Sequence, residues 1–534
     1  MHGFFGSYKA NVTWDLSSFE DKSFVKRTHS KGYFQLTQVT LPKFLNDKYF
    51  AEIDDCFLAT EGVLFEADKP EEAIARYRNG ETTFWNSWRG SFAGVLYDSK
   101  TDTLLVFNDH IGSKMLFYAK TKDGFVFASD LRIITTMLDY HSLQNSFVSA
   151  ILEKGYNNNN LTFVEGIFRL TTGQYIHLRG SCISLAQYHQ FDNRPWMYDE
   201  ANMLKETNRL FRQAVKRVIR KNEQERLQHF YPLSGGLDSR LTQWVARQLT
   251  KQAITNFTFS QTGHYDHLLP HEISNTLGNK WMFLPLDGGD YIKNVDGVCE
   301  RTEWLVNYIL PIEADYFAEL QNWDKIGVVL TGINGDNIFA TETDNAHEIE
   351  RICTQGFNGY SLGSPLIFQH YTESYSPFCD VDVLDYVLHV PTIKRRNYYF
   401  YDRLILSYYP DMAQWHHKHM PIGRRPPMVT IMGRNIPLRD VAKRICRTLL
   451  KRLHIYDAYR ATKEESMNPY DYWSEENPSI KAYMQDYYTR HSQLLSGYPW
   501  FHLCEEKMRI GSLIEKGKVL TIESAITHLN LHIC

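Results

Sequence analysis

Residues 229–240 read HFYPLSGGLDSR, and this stretch decides the fold of the second half of the chain. HFYPL (229–233) is an apolar run of strand length, SGGLDS (234–239) is a glycine-rich turn, and RLTQWVARQL (240–249) has the spacing of a helix. A strand that passes through such a turn into a helix is typical of a parallel α/β sheet. Ligands bind beyond the carboxyl ends of such strands, so the turn is the first candidate site.

Strand-length runs alternate with helical stretches on both sides of this unit. An amphipathic helix precedes it, with apolar residues at three- and four-residue spacing between Leu204 and Val218. Further strands are predicted at ITNFTF (254–259), KWMFLPL (280–286) and IGVVLT (326–331). The alternation predicts a doubly wound parallel sheet, and therefore an α/β fold.

The first 190 or so residues have a different pattern. Strand-length runs follow one another between turn residues: CFLATEGVLF (56–65), GSFAGVLYDS (90–99), TLLVFNDHIG (103–112) and FVFASDLRII (125–134). Helical signals are few here, for example near 130–138, and the polar segment 191–200 is typical of a linker. The predicted domains are 1–190, 199–430 and a helical C-terminal extension at 431–534.

Composition limits the class of protein. The chain has 534 residues, of which 43% are hydrophobic, enough for two to four globular domains. Its 58 basic and 62 acidic residues give a net charge of −4, which does not favour nucleic-acid binding. The eight cysteines are scattered singly, and neither a signal peptide nor a transmembrane run is found. We therefore expect no zinc site and a cytoplasmic location.

The SGGLDS segment has the residues of a phosphate-binding loop. Gly235 and Gly236 let the backbone approach an anion closely, at the N-terminus of the following helix. Ser234 and Ser239 add hydroxyl donors, and the Asp238 carboxylate would hold Mg²⁺ against the phosphate. The alternative is a structural Gly-Gly turn capped by Ser and Asp.

A second motif lies at the end of the predicted strand 326–331. It reads TGINGD (331–336) and again brings small residues and one carboxylate to a strand end. Alone, such an Asn-Gly-Asp segment is usually only a turn. Together with the first motif it predicts that Asp238 and Asp336 share one or two Mg²⁺ ions on a pyrophosphate.

These residues carry a resemblance to a known family. SGGLDS followed by VVLTGINGD (328–336) resembles the ATP-pyrophosphatase domain of the asparagine synthetase family. GSFAGVLYD (90–98), NDHIGSKMLFYA (108–119) and VEGIFRLTTGQYI (164–176) resemble its class II glutamine amidotransferase domain. The resemblance implies an N-terminal αββα domain of the Ntn-hydrolase type, followed by the α/β synthetase domain.

The resemblance also implies a reaction and its site residues. Enzymes of this family use ATP and Mg²⁺ to activate a carboxylate as an acyl-adenylate, with release of pyrophosphate, and then form an amide with release of AMP. The residues implied to border adenosine are Leu233, Phe259, Thr331 and Gly332. Ser234, Gly235, Gly236, Asp238 and Ser239 would hold the pyrophosphate, and Asp238 with Asp336 the metal. Lys418 corresponds to a lysine beside the α-phosphate, with a plain surface lysine as the alternative.

The amidotransferase half departs from the family pattern. A working glutaminase of this class begins Met-Cys-Gly, whereas this chain has His2, which offers no thiolate. The family's Asn-Gly pair reads Glu61-Gly62, and a carboxylate there would repel a developing oxyanion. The family's R-D-x-x-G reads NDHIG (108–112). We therefore predict that the glutaminase is inactive.

The synthetase half departs less from its pattern. The family's S-G-E-G-A-D-E reads TGINGDN (331–337), so Ile333 replaces a glutamate that deprotonates the amine and Asn337 replaces a second glutamate. Arg240 follows SGGLDS where the family has serine, and would either strengthen pyrophosphate binding or face solvent.

The sequence thus predicts an asparagine-synthetase-like, ATP- and Mg²⁺-dependent amide ligase. Its partners would be a small carboxylate and either ammonia or a substrate amine, with no nucleic acid, and a homodimer is an open alternative. Two other functions stay open, a glutamine-hydrolysing asparagine synthetase proper and a non-catalytic nucleotide-binding or assembly module.

Overall fold

The computed structural model describes most of the chain. The described residues are 2–19, 23–138, 141–157, 159–180, 182–416, 421–424, 428–431, 434–438, 441–442 and 466–531. In this part of the chain, antiparallel sheets form the first half and a parallel sheet forms the second. The predicted α/β class is confirmed.

Two six-stranded antiparallel sheets face each other in the first half. Their strands are β1 (Gly3–Tyr8), β2 (Val25–Lys31), β3 (Phe34–Thr40), β4 (Phe50–Ile53), β5 (Cys56–Glu66), β6 (Arg89–Asp98), β7 (Thr103–Asn108), β8 (Phe117–Lys120), β9 (Phe125–Ala128), β10 (Phe168–Arg169), β11 (Gln174–Arg179) and β12 (Cys182–Gln187). The orders are β10-β8-β9-β1-β3-β2 and β12-β11-β7-β6-β5-β4. Phe4 and Phe127 of one sheet share a buried core with Phe57, Val95 and Val106 of the other.

Helices cover the outer faces of this pair of sheets. They are α1 (Pro70–Arg78), α2 (Leu131–Thr136) and α3 (Asn145–Lys154). Ala73 and Ile74 of α1 pack on one sheet, while α2 and α3 pack on the other, giving the predicted αββα order. The sequence did not predict α1 or α3, because both are short and bury only a few side chains each.

The second half contains the predicted parallel sheet. Its strands are β13 (His229–Pro232), β14 (Ile254–Ser260), β15 (Lys280–Pro285), β16 (Val329–Leu330) and β17 (Ser374–Tyr375). Phe257 pairs with Pro232 on one side and with Met282 on the other. β16 pairs with β17, and a parallel bridge between Gln228 and Ile326 links the two groups.

Helices connect these strands and surround the sheet. They are α4 (Glu200–Gln224), α5 (Leu237–Leu249), α6 (Tyr265–Leu277), α7 (Val295–Arg301), α8 (Ile312–Glu319), α9 (Gly335–Phe339), α10 (Glu348–Arg351), α11 (Gly363–Gln369), α12 (Val381–Val387), α13 (Thr392–Arg395) and α14 (Tyr399–Tyr408). A π-helical turn, Ile352–Phe357, follows α10. α5 begins at Leu237, three residues earlier than predicted, because the turn itself opens the helix.

The C-terminal region packs against both halves. A hairpin, β18 (Met428–Ile431) and β19 (Arg434–Pro437), straddles the predicted boundary at 430. The helices that follow are α15 (Tyr470–Glu476), α16 (Pro478–His491), α17 (Phe501–Ile510) and α18 (Leu513–His528). In α18, Lys518 Nζ donates to the Leu152 and Glu153 carbonyls of the first half, and Ser524 accepts from the Trp304 indole N–H of the second. This region therefore belongs to the same packed body as both halves.

Candidate active site

The SGGLDS loop lies between β13 and α5, at the carboxyl end of the sheet. Its own side chains shape it, since the Ser234 N–H donates to Ser239 Oγ at 3.0 Å and the Gly236 N–H donates to Ser234 Oγ at 3.2 Å. The Gly235 N–H donates to Asp266 Oδ1 at 2.7 Å. A Cβ on Gly235 would lie 2.4 Å from the Tyr265 ring, so this position requires glycine.

The turn 331–336 packs directly against the SGGLDS loop. The Asp336 backbone N–H donates to Asp238 Oδ2 at 3.0 Å, so the turn that carries one predicted metal ligand contacts the carboxylate of the other. A Cβ on Gly335 would lie 2.5 Å from Asp238 Oδ1, and a Cβ on Gly332 would lie 2.6 Å from the Ser239 nitrogen. Glycines at both positions let the turn approach the loop this closely.

A cavity of about 270 Å³, here called the loop cavity, lies in front of these two motifs. The predicted residues that line it are Leu233, Ser234, Gly236, Asp238, Ser239, Phe259, Thr331 and Gly332. Gly235 is absent from the lining and faces Tyr265 and Asp266 instead. Apolar walls come from Phe257, Phe259 and Phe368, and Met467 of the C-terminal region also contributes.

Two site residues were not predicted from the sequence. Tyr401 of α14 is fully buried, and its hydroxyl donates to Asp238 Oδ1 at 3.0 Å. Asp266, in the first turn of α6, faces the loop cavity and accepts from the loop. Asp266 follows a predicted strand by a few residues and was therefore detectable as a third strand-end carboxylate. Tyr401 lies 163 residues after Asp238, in a stretch with no motif that would mark it as a site residue.

The placement of Arg240 corrects one prediction. Its side chain is fully buried, so the solvent-facing alternative is wrong. The guanidinium donates to the carbonyls of Gly235, Trp415 and His416, at 2.5, 3.1 and 2.9 Å. Arg240 therefore ties the back of the SGGLDS loop to the segment at 415–416. In the described structure it is a positioning residue for that loop.

Lys418, the other predicted catalytic residue, lies outside the described residues. The described segment 182–416 ends two residues before it, at His416, whose carbonyl accepts from the Tyr265 hydroxyl at 2.5 Å. Its role stays a prediction.

The donor set at Asp238 and Asp336 suits Mg²⁺. This ion prefers hard oxygen ligands, and proteins commonly hold it with one or two carboxylates plus the phosphates of a substrate. Among the described residues no group of three or more His, Cys, Asp or Glu side chains is arranged to hold a metal alone. As carboxylates, Asp238 and Asp336 therefore fit a Mg²⁺ ion that phosphate oxygens would help to hold.

The N-terminal site of the amidotransferase half holds a buried polar network. His2 Nε2 lies 2.8 Å from the Gln369 carbonyl oxygen, and His2 Nδ1 lies 3.5 Å from Glu61 Oε1. Glu61 accepts hydrogen bonds from Thr40 Oγ1 and Gln38 Nε2, at 2.8 and 3.1 Å. Burial by itself would raise the pKa of Glu61, but nearby Lys48 and then His2 hold it at about 2. Glu61 is therefore a carboxylate at neutral pH.

A second, smaller cavity lies between the two halves. It has a volume of about 70 Å³ and is here called the interdomain cavity. Segments 88–91 and 109–113 of the first half line one side, and Asn334, Ser361 and Cys379 are among the residues on the other. Thr331 and Ile333 line both this cavity and the loop cavity, so the two are adjacent.

Comparison with known protein families decides the relationship. Residues 56–189 match a glutamine amidotransferase domain, and residues 206–355 match asparagine synthase. The two domains occur in the order that the sequence motifs predicted. The chain has the two-domain composition of the asparagine synthetase family.

The individual relatives of this chain are distant in sequence. A protein of Methanocaldococcus jannaschii, provisionally named glutamine-hydrolysing asparagine synthetase 2, is 25% identical over 34% of this chain and 35% of its own length. "Amidase chry2" of Gibberella zeae is 24% identical over 38% of this chain and 29% of its own length. The chain thus spans about a third of these relatives.

Among solved structures, the glutamine phosphoribosylpyrophosphate amidotransferase of B. subtilis aligns over 54% of this chain and 85% of its own, at 9% identity. The TM-score of 0.24 is too low to support an argument.

These matches support part of the predicted function. The chain carries the domains of an ATP-dependent amide ligase family. Within the described residues, no helix is both long and apolar enough to cross a membrane. Cytoplasmic location, a homodimer and the absence of nucleic-acid binding stay predictions.

Proposed function

We propose that the protein is an ATP-dependent ligase that activates a small carboxylate as its acyl-adenylate and joins it to ammonia or a substrate amine. The observation that carries this proposal is the contact between Asp238 and the turn at Asp336, in front of the SGGLDS loop. The loop cavity of about 270 Å³ is near the lower end of sizes typical for small-molecule sites.

The described residues have separable tasks in this reaction. The hydroxyls and N–H groups of the SGGLDS loop would bind the β- and γ-phosphates, and Phe257 and Phe259 would pack against the adenosine. Asp238 and Asp336 would hold Mg²⁺, which when bound offsets the charge of the phosphates. Tyr401 orients the Asp238 carboxylate by its hydrogen bond. When the nucleotide binds, the Gly235 N–H would donate its hydrogen bond to a phosphate oxygen instead of to the Asp266 carboxylate.

The nitrogen donor is proposed to enter from the interdomain cavity. Ile333 lies where the two cavities meet and cannot accept a proton from the amine. A donor that reaches the site as a free base needs no deprotonation before it attacks the acyl carbon. The proton that its nitrogen loses on forming the amide would pass to the phosphate of the departing AMP or to solvent. Ammonia and small amines fit a cavity of about 70 Å³, which has room for only a few water-sized groups.

The glutaminase half is proposed to be inactive. The buried His2 imidazole stands where the family has its nucleophilic thiol, and burial lowers the pKa of His2. The Glu61 carboxylate stands where the oxyanion would form, and it is already saturated by Thr40, Gln38 and Lys48. Neither a nucleophile nor an oxyanion site is available in this arrangement.

One observation favours a non-catalytic nucleotide-binding protein as the second candidate. Asn337, at the position of the family's second glutamate, donates its amide to Asn334 Oδ1 at 3.0 Å and so closes the turn on itself. In that case ATP would bind without any carboxylate-dependent release of pyrophosphate.

A pyrophosphate-release assay separates these candidates. We expect release with Mg·ATP, aspartate or another small carboxylate, and ammonium, and a loss of at least tenfold in Asp238→Asn. Asp344→Asn, which changes an exposed carboxylate that pairs with His347, is the matched control. ATP binding without pyrophosphate release from any carboxylate would favour the non-catalytic protein. Glutamate release from glutamine by the purified protein would contradict the inactive glutaminase.

A further inference from the structure

We propose that a groove along α4 is a binding site for a small polyphosphate anion, separate from the loop cavity. The groove has a volume of about 600 Å³. Six cationic side chains line it: Arg209, Arg212, Lys216, Arg217, Arg220 and Lys221. The lining contains one carboxylate, Glu66, and shares no residue with the loop cavity. This part of the surface, here called the α4 groove, is strongly positive although the chain as a whole is slightly acidic.

Three of the six cations are neutralised within the fold. Arg217 pairs with Glu66 and with the buried Asp380, and Lys221 Nζ lies 2.8 Å from Asp47 Oδ1. Arg209 pairs with Glu206 on the same helix. Arg217 and Lys221 are largely buried and form the floor of the groove, so they contribute little charge toward a ligand, whereas Arg209 is exposed and its charge is offset by Glu206.

The other three cations form a stripe above this floor. Arg212, Lys216 and Arg220 follow one another at four-residue spacing on α4, and within the described residues none of them pairs with a carboxylate. Eight residues of helix are about 12 Å long, which matches the reach needed for a chain of two or three phosphates. Like charges at this spacing repel one another and destabilise a helix, so a bound anion would stabilise α4 by offsetting that repulsion.

The shape of the α4 groove favours a small ligand over a flat protein surface. Phe65 stands at one wall and Leu249 at the other, and the Gln248 side chain accepts from Arg212 at 2.5 Å, which fixes that guanidinium at the rim. The volume lies within the range of small-molecule sites. A guanidinium group can donate two parallel hydrogen bonds to two oxygens of one phosphate. A ligand with a single carboxylate would leave some of the three cations of the stripe without an anionic partner.

The α4 groove lies at the contact between the two halves. Its floor residue Arg217 bridges Glu66 of the first half and Asp380 and Asp382 of the second. The shared chemistry of the ligand is a phosphate chain, which could come from an inorganic polyphosphate or from a nucleotide.

Calorimetric titration of the full chain with inorganic tripolyphosphate, in EDTA to remove divalent metal, tests this proposal. The double variant Lys216→Gln/Arg220→Gln should bind at least tenfold more weakly than wild type. Lys205→Gln, which removes an exposed charge elsewhere on α4, is the matched control and should change the dissociation constant less than twofold. A parallel titration with GTP identifies the source, because tighter binding than tripolyphosphate indicates a nucleotide and equal binding an inorganic chain.

Three results would overturn the proposal. The first is that wild type does not bind tripolyphosphate. The second is that the double variant binds as tightly as wild type, which assigns the anion to the SGGLDS loop. The third is that Lys205→Gln weakens binding as much as the double variant, which indicates only a general effect of charge. Circular dichroism of each variant checks that α4 is intact, and since all three positions are solvent-facing, the fold should be unchanged.

Discussion

At the scale of single residues, the account depends on how Asp238 is held. Its two oxygens accept from the Tyr401 hydroxyl and the Asp336 N–H, and Gly335 leaves no space between the carboxylate and the turn. The sequence predicted Asp238 and Asp336, because glycine-rich strand ends are local patterns. It could not predict Tyr401, whose contact with Asp238 arises only when α14 packs against the sheet.

Tyr401→Phe tests this arrangement without changing the packing volume. Loss of a hydrogen bond to a charged group costs about 1.5–3 kcal/mol, so the Mg²⁺ concentration that gives half-maximal nucleotide binding should rise roughly tenfold or more. Tyr399→Phe on the same helix is the control, because its hydroxyl bonds the surface residue Glu200. An equal Mg²⁺ requirement in Tyr401→Phe and wild type would show that Asp238 needs no such support.

At the scale of elements, α18 contains a carboxyl group at a high energetic cost. Glu523 is fully buried, and neither of its oxygens has a hydrogen-bond partner among the described residues. Burial raises the pKa of Glu523 to about 9, from 4.5 for the free side chain. The folded state therefore binds this proton more tightly than the unfolded state, and the stability contributed by α18 falls as the pH rises from about 4.5 towards 9.

Glu523→Met should remove this pH dependence, since methionine has a similar length and suits a helix interior. Thermal unfolding should show a variant more stable than wild type, on the order of 2 kcal/mol at pH 7, with a difference that shrinks at pH 5. Glu505→Met, at an exposed position on α17, is the control. A stability difference that stays the same from pH 5 to pH 8 would contradict the raised pKa of Glu523.

The sequence predicted elements unevenly for physical reasons. α4 was predicted because 25 residues of amphipathic spacing form a strong pattern. α1 is short and largely charged, so its two buried residues did not stand out. β16 is only Val329–Leu330, although a longer strand was predicted. These two residues pair with β17, and the turn 331–336 follows directly.

At the scale of the whole molecule, ion pairs and hydrogen bonds join the two halves. Arg217 of the second half pairs with Glu66 of the first, and the buried Lys114 Nζ of the first half lies 2.6 Å from Glu373 Oε2 of the second. Lys43 donates to the carbonyls of Trp323, Ile326 and Tyr371, which belong to the second half. Such long-range pairs have no signature in the sequence, because each partner alone looks like an ordinary surface charge.

Arg217→Met should destabilise the chain, because it leaves Asp380 buried without its cation and also removes the pair with Glu66 of the first half. We expect a loss of about 3–5 kcal/mol in the free energy of unfolding, seen as a lower midpoint in urea. Arg209→Met, which breaks an exposed pair on the same helix, should cost less than about 1 kcal/mol. If both variants are equally stable, the Arg217 ion pairs do not contribute to the stability of the fold.

The most direct test of the central claim is the Mg²⁺ dependence of ATP binding, measured by calorimetry on the full chain. The account predicts that wild type binds ATP at least tenfold more tightly with Mg²⁺ than in EDTA, and that Asp238→Asn loses most of this difference. Equal affinity of the wild-type chain for ATP with and without Mg²⁺ would contradict it.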